Sequence, residues 1–210
     1  MRRVQWSDAV PVSRAIGDPT GHQVTTRALP REPLRGRIPS EMSMQTKLEG
    51  RVWLFGEDIS TDHIIAGKYL GSMDPAALAE HAMEAVDPGF SKNAKPGDIV
   101  VAATNFGCGS SREQAPVALQ GLGLSCVIAD SFARIFYRNA INIGFPVVEC
   151  PGLRAKLREG DRVSVDLEAG RVTLPSGEHV SFRPLPPNLM EILRAGGLVP
   201  KLRSELGGSR

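Results

Sequence analysis

Residues 105–116, NFGCGSSREQAP, gather two glycines, two adjacent serines, an arginine and a glutamate into one short loop. An apolar run, Ile99-Val100-Val101-Ala102-Ala103, leads in, and a helix-like stretch from Ala115 to Gln120 leads out. A loop at the C-terminal end of a parallel strand, just before a helix, is where open α/β sheets bind ligands. Free backbone N–H groups and the helix dipole favour an anion there. Gly107 and Gly109 allow close backbone approach. Arg112 can grip a carboxylate or phosphate through two parallel hydrogen bonds. Ser110 and Ser111 add hydroxyls, so the set suits a small polyanion. A plain helix cap, with Glu113 near the third helical position, would explain one serine but not two plus an arginine and two glycines. The loop has no G-K-[ST] and is not a P-loop. It lacks G-x-S-x-G and is not a nucleophile elbow. Cys108 has no histidine nearby in the loop and reads as a small packed residue.

The elements that must position this loop follow from periodicity and punctuation. Residues 51–55 read as a strand followed by a Gly/Asp-rich loop. Residues 74–86, DPAALAEHAMEAV, begin with an Asp N-cap and a proline at the first helical position, so they predict a helix. KPGD (95–98) is a turn. Strand 99–103, helix 112–121, strand 125–129, helix 131–142 with Ser131 as N-cap, and strand 145–150 follow. Strand–helix–strand at this spacing predicts right-handed crossovers and a parallel sheet. After Pro151 the pattern alternates and predicts β-hairpins, then one or two short helices.

The chain has 210 residues, 41% hydrophobic and 5% aromatic, with a formal net charge of +2. That composition fits an aliphatic α/β core. The charge is uneven: residues 1–41 carry seven Arg against four acids, +3, leaving −1 for the rest. A near-neutral body argues against nucleic-acid binding. No apolar run approaches a membrane span. Three cysteines (Cys108, Cys126, Cys150) without C-x-x-C write neither a disulfide framework nor a zinc or iron–sulfur site, so no metal site is expected in this chain. A reducing, cytoplasmic setting fits best. Residues 1–44 read as a disordered or loosely attached tail, or as an over-extended start with Met42 or Met44 as initiator. Asp8, Asp18 and five prolines weigh against a transit peptide.

NFGCGSSRE, preceded by STDHIIAGKYL and followed by SCVIADSFARIFYRNAINIGFP, strongly resembles the small-subunit family of the isopropylmalate isomerases, the swivelling domain of the aconitase superfamily. The resemblance runs from about Gly50 to Leu206. It implies a swivelling β/β/α domain over residues 45–210: a parallel strand–helix–strand core with C-terminal β-hairpins and short helices. It also implies a large-subunit partner that carries a [4Fe–4S] cluster, with no cofactor in this chain. The implied reaction is dehydration and rehydration of a small dicarboxylate, from 2-isopropylmalate through isopropylmaleate to 3-isopropylmalate, in leucine biosynthesis. Ser110 matches the catalytic base, and Ser111 and Arg112 match positions that hold a substrate carboxylate. Asp62 and His63 match a pocket-side loop. There Asp62 either orients Arg112 or the serine, or closes a turn. A serine base requires strong stabilisation of its alkoxide. Arg134 and Arg138, four apart on one helix face, either meet the partner or form a solvated face.

Tyr69, Leu70 and Gly71 in KYLGSM match the family's specificity loop. Relatives acting on homocitrate or homoaconitate tend to place Arg directly after Tyr-Leu. Gly71 carries no charge to pair with a third carboxylate, which counts against a tricarboxylate without itself selecting the isopropyl group; isopropylmalate is the expected substrate. Other diacids remain open (citraconate, methylmalate or dimethylmalate), as does a non-catalytic anion-binding paralogue.

Overall fold

The computed structural model describes residues 45–207. The expectations for residues 1–44 lie outside the described residues. Among the described residues the strands form one mixed sheet of seven in the order β4-β3-β2-β1-β5-β6-β7. Its parallel half holds β1 (Lys47–Leu54), β2 (Ile99–Ala102), β3 (Cys126–Ala129) and β4 (Val147–Glu149). The other half, β5 (Arg162–Asp166), β6 (Arg171–Thr173) and β7 (His179–Ser181), is an antiparallel meander. β1 belongs to both halves: Val52–Leu54 pair in parallel with β2, while Lys47–Arg51 pair antiparallel with β5. This dual pairing is why the strand starts four residues before the predicted Arg51.

The α/β expectation holds, and so does the parallel strand–helix–strand core. All four residues of β2 and of β3 are buried, as their unbroken apolar runs require of central parallel strands. The first crossover carries α1 (Thr61–Ile64), α2 (Pro75–Ala79) and α3 (Phe90–Asn93). The next two carry α4 (Gln114–Gly121) and α5 (Arg134–Asn142). The chain closes with α6 (Pro187–Arg194) and α7 (Leu198–Gly207).

Three helix boundaries differ from the sequence expectation. The helix predicted over 74–86 has its Asp74 cap, whose side chain accepts from Ala76 N–H, but ends at Ala79. A run of turns replaces the rest. Met83, fully buried, sits in the left-handed region at φ 62° and donates its N–H to Ile64 O at 2.9 Å. That tertiary bond, invisible in local propensity, breaks the helix. α4 starts at Gln114 rather than at 112, with no side-chain cap. α5 starts at Arg134, with Ala133 as N-cap rather than Ser131. The Ser131 hydroxyl instead accepts from Asn105 N–H at 2.9 Å. It is spent on the loop, not on its own helix.

Candidate active site

The loop 105–113 is fastened on two sides. Its first half is nailed to the segment between β3 and α5. Phe106 N–H donates to Ser131 O (3.0 Å), Ala133 N–H donates to Phe106 O (2.9 Å), and Phe106 pairs with Phe132 as an isolated parallel bridge. The Phe106 ring is fully buried, edge-on to Phe132 and Phe136. Asn105 takes a left-handed conformation, and its side-chain amide donates to Asp58 Oδ1 at 2.7 Å. The second half is nailed to α1 and the residues before it. Gly107 N–H donates to Ile59 O (2.7 Å) and Thr61 N–H donates to Cys108 O (2.8 Å).

The two glycines do different jobs. Gly107 is buried at φ +78°, and a Cβ there would lie 2.2 Å from Phe136 Cγ. It makes room for a ring of the core, not for a ligand, which corrects the expectation of close approach at this position. Gly109, exposed at φ +93°, turns the chain toward Ser110.

Ser110 and Ser111 are exposed on the rim of the loop. Ser110 is held from beneath by Thr61, a residue that sequence reasoning passed over. Thr61 is buried, its hydroxyl donates to Ser110 O at 3.0 Å, and it lies 3.4 Å from Ser110 Oγ. The signal for Thr61 is the leading hydroxyl of TDHI itself, indistinguishable in sequence from a helix-start residue. Arg112 N–H closes a tight turn onto Ser110 O at 2.8 Å. The Arg112 guanidinium is largely shielded: its NH1 donates to Ile65 O at 3.2 Å and forms an ion pair with Asp62 Oδ1. Of the readings for Asp62, the structure therefore favours contact with Arg112 over contact with the serine.

His63 occupies a structural post. Ser60 caps α1 by accepting from His63 N–H at 3.2 Å, and His63 Nδ1 accepts from Ser60 N–H at 3.2 Å. This is a reciprocal capping box with histidine in the place of glutamate. It leaves Nε2 as the ring nitrogen that can meet a ligand.

Cys108 is half-buried, and burial, followed by the nearby Asp58 carboxylate, pushes its thiol up. A raised pKa suppresses the thiolate and fits a packed residue rather than a nucleophile. Glu113 is exposed and stands at the N-cap position of α4 without a side-chain cap hydrogen bond.

The segment carrying Tyr69, Leu70 and Gly71 borders Arg112. A Cβ at Gly67 would lie 3.9 Å from Arg112 NH2, and Gln114 Nε2 donates to Leu70 O at 3.4 Å. Gly71 is exposed, and a Cβ there would meet no atom within 4 Å. Arg134 and Arg138 are exposed on α5 and line a shallow cleft with Phe132, Tyr137 and Glu149.

The cysteines of this chain do not make a cluster site. Cys126 is wholly buried on β3, its thiol pushed up to about 12 by burial. Cys150 is pushed up to about 11 by burial and by Asp130. Among the described residues no three His, Cys, Asp or Glu side chains converge as a ligand set.

A mixed sheet whose parallel half ends in an exposed, carboxylate-suited Ser-Ser-Arg loop defines a class of protein. The Aconitase C-terminal domain family matches residues 59–151. The chain belongs, within that superfamily, to the 3-isopropylmalate dehydratase small-subunit family. It is 51% identical over 168 residues to the isopropylmalate/citramalate isomerase small subunit of Methanocaldococcus jannaschii, which covers 80% of this chain and 100% of that one. It is 54% identical over 158 residues to the 3-isopropylmalate dehydratase small subunit of Pyrobaculum calidifontis, covering 75% and 98%. The crystal structure of 3-isopropylmalate dehydratase (leuD) from Methanocaldococcus jannaschii superposes with a TM-score of 0.74 at 43% identity, over 78% of this chain and 98% of that one.

Proposed function

We propose that this chain supplies the carboxylate-holding and proton-moving half of a 3-isopropylmalate dehydratase. That hydro-lyase converts 2-isopropylmalate through isopropylmaleate to 3-isopropylmalate in leucine biosynthesis. The observation that carries the reading is the joining of two distant segments. Thr61 and Asp62 on α1 hold Ser110 and Arg112 on the loop before α4. Arg112, its NH1 already engaged, offers its remaining N–H donors to a substrate carboxylate. Ser111 and His63, both exposed, complete the cradle. Ser110 Oγ takes the carbon-bound proton during dehydration and returns it during hydration. A free hydroxyl is a poor base, so the adjacent arginine and the exclusion of water by a partner must stabilise the alkoxide. An exposed rim of this kind becomes a closed pocket only when a second surface covers it.

That second surface is the large subunit, to which the family's [4Fe–4S] cluster is assigned. This chain's own chemistry is confined to binding the carboxylate and moving the proton. Residues 45–210 form the aconitase-type domain and residues 1–44 lie outside it. In support, 168 matched residues of this chain account for the whole of the M. jannaschii relative. Three free thiols among the described residues suit a reducing cytoplasm. Among the described residues no helix is long and apolar enough to cross a membrane.

Uncharged, unobstructed Gly71 favours a diacid without a third carboxylate. A second substrate of the citramalate type is compatible with the same site, and the relative named isopropylmalate/citramalate isomerase small subunit supports it. The test is turnover of 3-isopropylmalate, citraconate and homoaconitate by the complex reconstituted anaerobically with its large subunit. Activity on isopropylmalate, with or without citraconate, is expected. Activity on homoaconitate alone would overturn the substrate assignment.

A further inference from the structure

The specificity loop is fastened to the body of the protein by a carboxylate that lies outside every site residue named above. Tyr69 OH donates to Glu84 Oε2 at 2.8 Å, and His81 Nδ1 lies 3.1 Å from the same oxygen. Lys68 Nζ lies 4.0 Å from Glu84 Oε1 and 4.6 Å above the Tyr69 ring. The His81 ring stacks on Tyr69 at 3.7 Å between centroids and 6° between planes. Three side chains from the 68–84 region therefore converge on one acidic group. The segment that presents Glu84 is itself fixed, because buried Met83 is pinned in the left-handed region to Ile64 O, at the end of α1. α1 is the helix that carries Asp62, the partner of Arg112. On the other side of the loop, Gln114 at the start of α4 donates to Leu70 O.

We propose that Glu84 is a positioning residue for substrate selection. It clamps Tyr69, and with it residues 67–73, at the edge of the Arg112 site, and Gln114 holds the other side. This rests on the reading of residues 69–71 as the substrate-sorting loop. A clamp of this kind lowers the cost of ordering the loop when substrate binds. It therefore acts on KM and on discrimination between diacids, not on the proton transfer itself.

The experiment compares Glu84→Ala, Glu84→Gln and Tyr69→Phe with the wild type in the reconstituted holoenzyme. It follows kcat and KM for 3-isopropylmalate, and amide hydrogen exchange over residues 66–73 of the complex. Glu84→Ala is expected to raise KM about fivefold, within the range of a charge-assisted surface contact, to leave kcat within twofold, and to speed exchange in the loop. Glu84→Gln keeps an acceptor for the tyrosine and is expected to recover part of the loss. Tyr69→Phe is expected to raise KM and to speed exchange in the loop as Glu84→Ala does. An unchanged KM, or unchanged exchange, in Glu84→Ala overturns the proposal. A wild-type holoenzyme that turns over no diacid would sink the functional reading on its own, and the exchange comparison would then decide the clamp alone.

Discussion

Ser110 lies on an exposed rim, and its placement comes from a residue with no chemistry of its own. Thr61 is buried and holds the serine's backbone oxygen and hydroxyl from below, while Asp62 beside it faces solvent and pairs with Arg112. Consecutive residues of one short helix thus hold Ser110 and Arg112, the proposed base and anion anchor. Asp62→Asn removes the charge that orients the guanidinium. It is expected to raise KM for isopropylmalate on the order of tenfold, as expected for a charge-assisted contact, in steady-state assays of the reconstituted complex. Arg112→Lys loses the planar fork and is expected to cost more than Asp62→Asn in kcat/KM. Gly71→Arg places a cation where no atom obstructs a Cβ. It should leave the thermal midpoint within about 2 °C, consistent with a neutral surface change. It should also shift the kcat/KM ratio from isopropylmalate toward a tricarboxylate, read by assaying both. At this scale the sequence was informative about types: the serines, Arg112 and Asp62 were all legible as candidates. The posts taken by His63 and Gly107 were not. His63 caps its own helix through Nδ1, and Gly107 faces the Phe136 ring rather than a ligand. Both depend on which neighbour arrives in space.

The elements around the site succeed through contacts that local propensity cannot report. Ser131 was legible as a cap and is instead a brace for Asn105, because the loop after β2 and the loop after β3 lie side by side. The helix after Asp74 ends early because Met83 bonds across to α1. In both cases a long-range hydrogen bond wins over a local pattern that was read correctly. Gly107→Ala tests how tightly these elements fit. A Cβ would sit 2.2 Å from Phe136 Cγ in a left-handed backbone conformation. Overpacking and φ strain together predict a loss of about 3 kcal/mol, measured by urea unfolding of the isolated subunit.

On the scale of the whole molecule, the fold turns on β1, the strand shared by the parallel and antiparallel halves. Alternation and apolar runs made both halves legible, but their fusion into one sheet was not, since strand order is a property of pairing rather than of pattern. Asp98, buried just before β2, joins this seam. It accepts from Trp53 Nε1 (2.8 Å), Lys95 N–H (2.9 Å) and Arg51 (3.3 Å). Burial alone would raise its pKa, yet these hydrogen bonds and the Arg51 charge outweigh it and hold the carboxyl below the ordinary range. A depressed carboxylate stabilises the fold above the unfolded pKa, and that contribution disappears as pH falls through the folded value. Urea titrations between about pH 6 and pH 3 should therefore show stability falling below about pH 4. Asp98→Asn should be less stable at pH 6 and show a shallower fall, and equal slopes would exclude Asp98 as the source.

The proposed function turns on one exposed hydroxyl, that of Ser110. The most direct test is Ser110→Ala in the anaerobically reconstituted complex, following isopropylmaleate formation from 3-isopropylmalate while complex assembly is monitored by size-exclusion chromatography. The account predicts an intact complex with turnover lowered by at least about a hundredfold, as expected for loss of a positioned base. Wild-type turnover in Ser110→Ala would contradict the assignment of the proton transfer to this residue.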